Sequence, residues 1–191
     1  MSQTVATPLS DEAIAAALSW PGAHWEVVEG RVVEKPSMGA FAHSISQVRY
    51  LALREFVLAH QLGFVTIEGV FIVDPVRDTR RCPDVAFVSI ERWPAERELP
   101  DEGDYDVVPD LVIEIISPKD RAKDVSKKLR EYFRIGVRRV WRIQPETREI
   151  FRFSSPKQIE VIDGDDEFLD GGDILPGFRI PLASLFRKSV Y

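Results

Sequence analysis

Apolar residues along this chain come in two rhythms, short nearly unbroken runs and longer stretches where they recur at helical spacing. The least interrupted run is Leu111-Val112-Ile113-Glu114-Ile115-Ile116, the pattern of a central strand covered on both faces. Glu114 alone breaks it. Burying that carboxylate without a partner costs on the order of several kcal/mol. The pattern therefore demands a metal ion, a basic side chain or a hydrogen-bonded neighbour at Glu114.

Elsewhere the pattern predicts the following elements. Ser10-Asp11-Glu12 before Ala13 to Leu18 reads as a short capped helix stopped by Pro21-Gly22. His24 to Val28 and Arg31 to Glu34 flank Glu29-Gly30 as a tight hairpin. After a loop from Pro36 to Gly39, Phe41 to His60 carries apolar residues at helical intervals. Phe64 to Val73 reads as one long strand with Glu68 as its single charge, and Pro83 to Val88 as the next. The acid-rich stretch Glu91 to Asp106 is expected on the surface. The Glu114 strand ends at Ser117-Pro118, and a helix from Lys119 to Ile135 runs to Gly136. Strands at 137–143, 149–153 and 158–162 follow, then an acidic glycine-rich loop and a short tail. The expected fold class is α/β (α+β), a mixed sheet flanked by helices, with an N-terminal β-hairpin and additional C-terminal strands. The 119–135 helix should make a right-handed crossover between parallel strands at 111–116 and 137–143.

Composition narrows the function. A length of 191 residues suits a single domain, with residues 1–23 as an N-terminal helical extension and 24–187 as the core. No apolar window is long enough for a membrane span, and the first residues lack the layout of a signal peptide. A lone cysteine, Cys82, makes no internal disulfide and points to a reducing cytoplasm; with three scattered histidines it forms no zinc pattern. The net charge of −6 conceals an asymmetry, since Lys119 to Arg142 alone carries a net of +7. Basic charge is concentrated just after the Glu114 strand.

Alternation along a strand puts Asp110, Val112, Glu114 and Ile116 on one face. If the neighbouring strand is in register, Asp84 converges on Glu114, and Glu68 could join them. Clustered carboxylates stay ionised only around a cation, and oxygen ligands suit Mg2+ or Mn2+. In a phosphodiester-cleaving enzyme, a lysine nearby would offset charge in the transition state. On a helical wheel, Val125, Leu129, Tyr132 and Phe133 form the buried stripe of the 119–135 helix. Lys128 lies at the edge of that stripe and can reach back over the sheet, with Arg121 on the same side, whereas Lys127 points away. The competing account is a structural acidic domain in which Glu114 simply pairs with Lys128. Glu68 is then open to two uses, third ligand or ion-pair partner of Lys128. Asp110 repeats the Pro-Asp dipeptide but sits about 13 Å along the strand from Glu114 and reads as structural.

Pro83-Asp84, 29 residues and then Glu114-Ile115-Ile116 resemble the PD-(D/E)XK signature of restriction-endonuclease-like nucleases. Closer still is the resemblance to one bacterial family of endonuclease-like proteins whose active-site lysine has moved to the following helix. Its motifs appear here in order: Trp25-Glu26 to Gly30, His43, Cys82 to Val88, Pro109 to Pro118, Lys128 with Tyr132, Gly136-Val137, Trp141, and Leu175 to Phe178. The resemblance implies a metal-dependent DNA endonuclease. Asp84 and Glu114 would be metal ligands helped by the Ile115 backbone carbonyl, with Glu68 assisting and Mg2+ or Mn2+ as cofactor. Ile116 stands where the usual lysine would be, so Lys128 would take that part. His43 becomes a further site candidate, and Arg121, Lys123 and Arg139 become candidate contacts to nucleic acid. Arg139 and Gln144 depart from the acidic residues usual at those family positions. DNA would be the partner, and a homodimer the economical form for cutting both strands. The alternative is a catalytically inactive nucleic-acid- or partner-binding module on the same fold.

Overall fold

A computed structural model describes residues 25–35, 40–99, 104–118 and 120–187. The expected N-terminal helix, the loop after the hairpin, part of the acidic loop and Lys119 lie outside the described residues.

The described residues open with the hairpin β1 (Trp25–Val28) and β2 (Arg31–Glu34). Its two-residue turn needs positive φ twice, supplied by Glu29 at 53° and Gly30 at 72°, the twist that suits a tight hairpin. Helix α1 (Ala40–Ala59) follows, burying Ile45, Leu53 and Val57 against the sheet. Then come β3 (Gly63–Ile67), β4 (Phe71–Asp74), β5 (Thr79–Arg81), β6 (Val85–Ser89) and β7 (Leu111–Ile115). Helix α2 (Ala122–Arg134) leads to β8 (Arg139–Gln144), β9 (Glu149–Ser155) and β10 (Gln158–Ile162). The ribbon β11 (Phe168–Gly171) and β12 (Leu175–Pro181) and the short α3 (Leu182–Leu185) complete it.

Two sheets matter for the site. One has the order β10-β9-β8-β7-β6-β3, the other β2-β1-β5-β4. In the larger sheet β7 and β8 are parallel, joined through α2, and all other pairs are antiparallel. β7 is central and buried along its whole length, as its unbroken apolar run requires. Helix α1, β12 and α3 help form the core on one face, while Leu129 and Tyr132 of α2 pack with Val112 and Val140 on the other.

Two expectations need correction. Phe64 to Val73 is not one strand: it breaks at Glu68, whose φ of 52° turns the chain, and continues in the other sheet as β4. The break is fastened by the Glu68 N–H donating to the Asp84 carbonyl at 3.1 Å. Apolar continuity hid the turn because both halves are buried on their own sheets. Nor is the acid-rich stretch simply a surface loop. Trp93 is buried, and Tyr105 stacks on Phe71 with ring centroids 5.0 Å apart. Its aromatic residues cover a third apolar cluster while many of its acids face water.

Candidate active site

The site lies where the smaller sheet meets the C-terminal end of β7. β6 and β7 run antiparallel with Val85 opposite Ile113. Continuing that register by one residue sets Asp84 opposite Glu114 on a shared face. Both line a cleft of about 270 Å³ together with Lys35, Lys128 and Arg142. Asp84 is held hard in place: its Oδ2 accepts the Ile115 N–H at 2.6 Å, and its Oδ1 accepts Lys35 Nζ at 2.5 Å. Because a hydrogen-bonded strand residue sends its N–H and C=O from the same edge, the Ile115 carbonyl leaves β7 on the Asp84 side.

Glu114 is met by two donors, both on Oε1: Lys128 Nζ at 2.9 Å and the Tyr132 hydroxyl at 2.7 Å. Lys128 and Tyr132 are one helical turn apart on α2, so one face of that helix delivers both. Lys128 also reaches Glu26 Oε1 at 2.6 Å. Glu26 in turn accepts Arg81 Nη1 at 2.7 Å, and Arg81 bonds Glu131 with its remaining donors. The Cys82 N–H also donates to Glu26, at 3.2 Å. Four carboxylates (Asp84, Glu114, Glu26, Glu131) therefore face three cations (Lys35, Lys128, Arg81) in one buried network. From the solvent side Lys127 also approaches Glu131, at 3.8 Å.

Titration follows from this arrangement. Burial raises the Glu114 carboxyl above the ordinary range, and neighbouring Asp84 adds to the rise against the pull of Lys128. Burial would also raise Glu26, but Lys128, Arg81 and Lys35 outweigh it and hold the group at about 2. Burial works against the charged forms of Lys35 and Lys128, yet both are raised. Asp84 and Glu114 do this for Lys35, Glu114 and Glu26 for Lys128. Tyr132 is pushed well up by burial and by Glu114, so it remains a hydroxyl donor. The Cys82 thiol is pushed up to about 11 by burial, which leaves it unreactive at neutral pH.

The sequence-derived candidates divide clearly. Asp84, Glu114, Ile115, Lys128 and Arg121 all line the cleft. Glu68, His43, Lys123 and Arg139 do not. The Lys128 ammonium pairs with Glu26 and Glu114. His43 is exposed on α1 and contacts Gln47. Arg139 stands opposite Leu111, at the far end of β7 from Glu114, and pairs with Asp173; it adds nothing to the basic charge of this cleft. Lys123 is exposed on the first turn of α2.

Sequence reasoning missed Glu26, Lys35, Arg81 and Arg142. Glu26 and Lys35 come from the β1–β2 hairpin, which reads as a solvent-edge element until the second sheet folds against the first. Glu26 did carry a signal: Trp25-Glu26-Val27-Val28 buries Glu26 beside Val27, a charge within an apolar segment like Glu114. Arg142 stands opposite Glu114 on β8 and has no carboxylate partner among the described residues. Its guanidinium lies 5.3 Å from the Phe153 ring centre, and burial lowers its pKa. Alternating apolar and basic residues along β8 were the available clue.

The donor set fits a hard divalent cation of the magnesium type. No group of three or more His, Cys, Asp or Glu side chains forms a complete cage among the described residues. Magnesium, however, is commonly held by one or two carboxylates, with waters and substrate phosphate completing its shell. Asp84 and Glu114 would supply such a pair, and Glu114 Oε2 meets no donor among the described residues. Among those residues, no helix is long and apolar enough to cross a membrane.

Comparison with known proteins adds the family. A search of curated proteins gives no match. Among solved structures, the chain is similar to the crystal structure of "a putative nuclease belonging to DUF820" from Anabaena variabilis. The TM-score is 0.72 at 21% identity, over 85% of this chain and 89% of that one; likeness at this identity speaks for the fold. Residues 14–183 match the family described as "Uma2: Putative restriction endonuclease". With that match spanning most of its length, the chain belongs to the Uma2 family of restriction-endonuclease-like proteins.

Proposed function

We propose that this protein is a metal-dependent endonuclease that hydrolyses phosphodiester bonds in DNA. The observation that carries this reading is the meeting of Asp84 and Glu114 in one cleft, with Lys128 Nζ 2.9 Å from Glu114. Asp84 and Glu114, helped by the Ile115 carbonyl, would hold Mg2+ or Mn2+. Such a cation supplies charge to polarise the scissile phosphate and to acidify an attacking water.

The chain's own groups divide the remaining work. Ile115 N–H fixes the Asp84 carboxylate, and the Tyr132 hydroxyl fixes that of Glu114, so neither ligand has to reorganise. Lys128, held by Glu26 and Glu114, presents an ammonium towards charge that develops on the phosphate. Arg142 offers a guanidinium with no competing carboxylate, suited to a non-bridging phosphate oxygen. Arg121 at the cleft extends that contact along the backbone. Glu26, Arg81 and Glu131 act behind Lys128 as positioning groups. Cutting both strands calls for two such clefts, one from each copy of the chain about a twofold axis.

The test is cleavage of plasmid, single-stranded DNA and RNA with Mg2+ or Mn2+, comparing wild type with Asp84→Ala. Metal-dependent cleavage of DNA by wild type, and DNA binding without cleavage by the variant, is the expected result. DNA binding without cleavage by wild type itself favours the inactive binding module on the same fold. Cleavage that survives Asp84→Ala removes the assignment of the site.

A further inference from the structure

We propose that Lys35 is a built-in competitor for the cation seat, so that a divalent ion binds Asp84 by exchanging with the Lys35 ammonium. This inference rests on the metal-site reading above. Lys35 follows the last residue of β2, in the smaller sheet, yet its Nζ meets Asp84 Oδ1 at 2.5 Å and the Cys82 carbonyl at 2.8 Å. The other Asp84 oxygen is tied to the Ile115 backbone at 2.6 Å. Lys35 therefore holds the one carboxylate oxygen that the strand framework leaves for a ligand. Asp84 is 1% exposed, so an incoming ion finds no solvated side from which to add without meeting the ammonium. An ammonium and a dication on one carboxylate repel strongly in a poorly screened site. Departure of Lys35 bares two hard oxygens together, Asp84 Oδ1 and the Cys82 carbonyl, a pair suited to such an ion. A lysine serves this exchange well, being a compact charge on a flexible stem that can swing without loss of a fixed fork geometry. Lys128 differs: it is bound by two carboxylates, Glu26 at 2.6 Å and Glu114 at 2.9 Å, and remains in place.

The experiment measures Mn2+ binding to the full chain by calorimetry and by the Mn2+ paramagnetic resonance signal. Thermal melts are recorded over the same Mn2+ series. Lys35→Met should bind Mn2+ at least about tenfold more tightly than wild type, because the internal competitor is gone. Without Mn2+ it should melt below wild type, since Asp84 loses its counter-charge, and it should gain more from saturating Mn2+. Lys35→Arg keeps the charge and should return binding towards the wild-type value. Lys35→Gln carries the same expectation as Lys35→Met and replaces it if that variant does not fold. Equal or weaker Mn2+ binding by the neutral variants overturns the exchange. If wild type then still binds Mn2+ and Asp84→Asn does not, the nuclease reading stands alone. Absence of Mn2+ binding in wild type and neutral variants alike overturns both.

Discussion

Pro83-Asp84 and Pro109-Asp110 sit at opposite ends of the same antiparallel strand pair, and each aspartate clamps the far end of the partner strand. Asp84 Oδ2 accepts the Ile115 N–H at the end of β7 at 2.6 Å; Asp110 Oδ2 accepts the Ser89 N–H at the end of β6 at 2.8 Å. Both residues are 1% exposed. The surroundings differ. Asp110 is answered by Arg92 at 3.1 Å and Arg138 at 3.5 Å, both of which reach solvent. Its charge is thereby settled. Asp84 faces Glu114, with Glu26 behind, and the lysines there are shared among three carboxylates. The strand clamp is structural in both places. A second carboxylate across the register sets Asp84 apart, since its partner strand brings Glu114 beside it while Asp110 is met by arginines.

The largest contrast should come from neutralising each aspartate in turn. Asp84→Asn should lower metal-dependent cleavage by at least about 100-fold, the scale of losing a principal electrostatic group at the reacting phosphate. Asp110→Asn should leave turnover per folded molecule within about twofold while lowering stability by about 1–3 kcal/mol. Cleavage rates paired with urea midpoints read both effects. Equal losses of turnover at the two positions would erase the distinction.

Lys128→Met comes next. It leaves Glu26 and Glu114 buried without their shared cation, at a cost of about 3–5 kcal/mol, and should cut turnover by about 100-fold. DNA affinity, followed by fluorescence anisotropy, should change far less, because Lys128 faces inward. Swapping Arg92, the surface partner of Asp110, for Met should cost about 1–2 kcal/mol with turnover intact.

Acid should distinguish the two ends as well. Glu26 is held at about 2, against 4.5 for an ordinary glutamate. A folded-state pKa below the unfolded one means stability that is present above about pH 4.5 and fades as pH falls towards 2. Glu114 runs the other way: its raised pKa favours proton uptake in the folded state, so it opposes that loss on acidification. The stability gap between wild type and Glu26→Gln should therefore shrink as pH drops below about 4.5, as urea midpoints across pH would show. A constant gap would mean that Lys128 and Arg81 do not depress Glu26.

Tyr132→Phe is the gentlest probe. It removes one hydrogen bond to Glu114 and should cost about 1–2 kcal/mol. Cleavage should fall by about tenfold as the Glu114 carboxylate loosens. Calorimetry of Mn2+ binding separates a loosened ligand from general destabilisation.

Much of this site could be read from local pattern. Glu114 declared itself as the one charge in a buried run, and Lys128 as the lysine at the edge of the apolar stripe of α2. Asp84 was legible because the strand after Pro83 had to pair near β7. Arg139, a candidate contact to nucleic acid, stands away from this cleft, and a count of basic charge is blind to which end of a strand each residue occupies. The position of Glu68 was not legible, because an apolar run through 64–73 shows no sign of the positive-φ turn at its centre that sends the strand into a second sheet.

Alternation, helical periodicity and the spacing of turn residues determined most of the elements, the parallel crossover through α2 and the pairing of Asp84 with Glu114. Those features rest on interactions between near neighbours or between adjacent strands, and one-dimensional pattern encodes them. The arrival of Glu26 and Lys35 was decided by tertiary structure alone. They belong to a hairpin some 50 residues from Asp84, and only packing of one sheet against another brings them there. Long-range charge compensation depends on where two sheets meet, and the hydrophobic faces that dictate that meeting are silent about which polar residues ride with them.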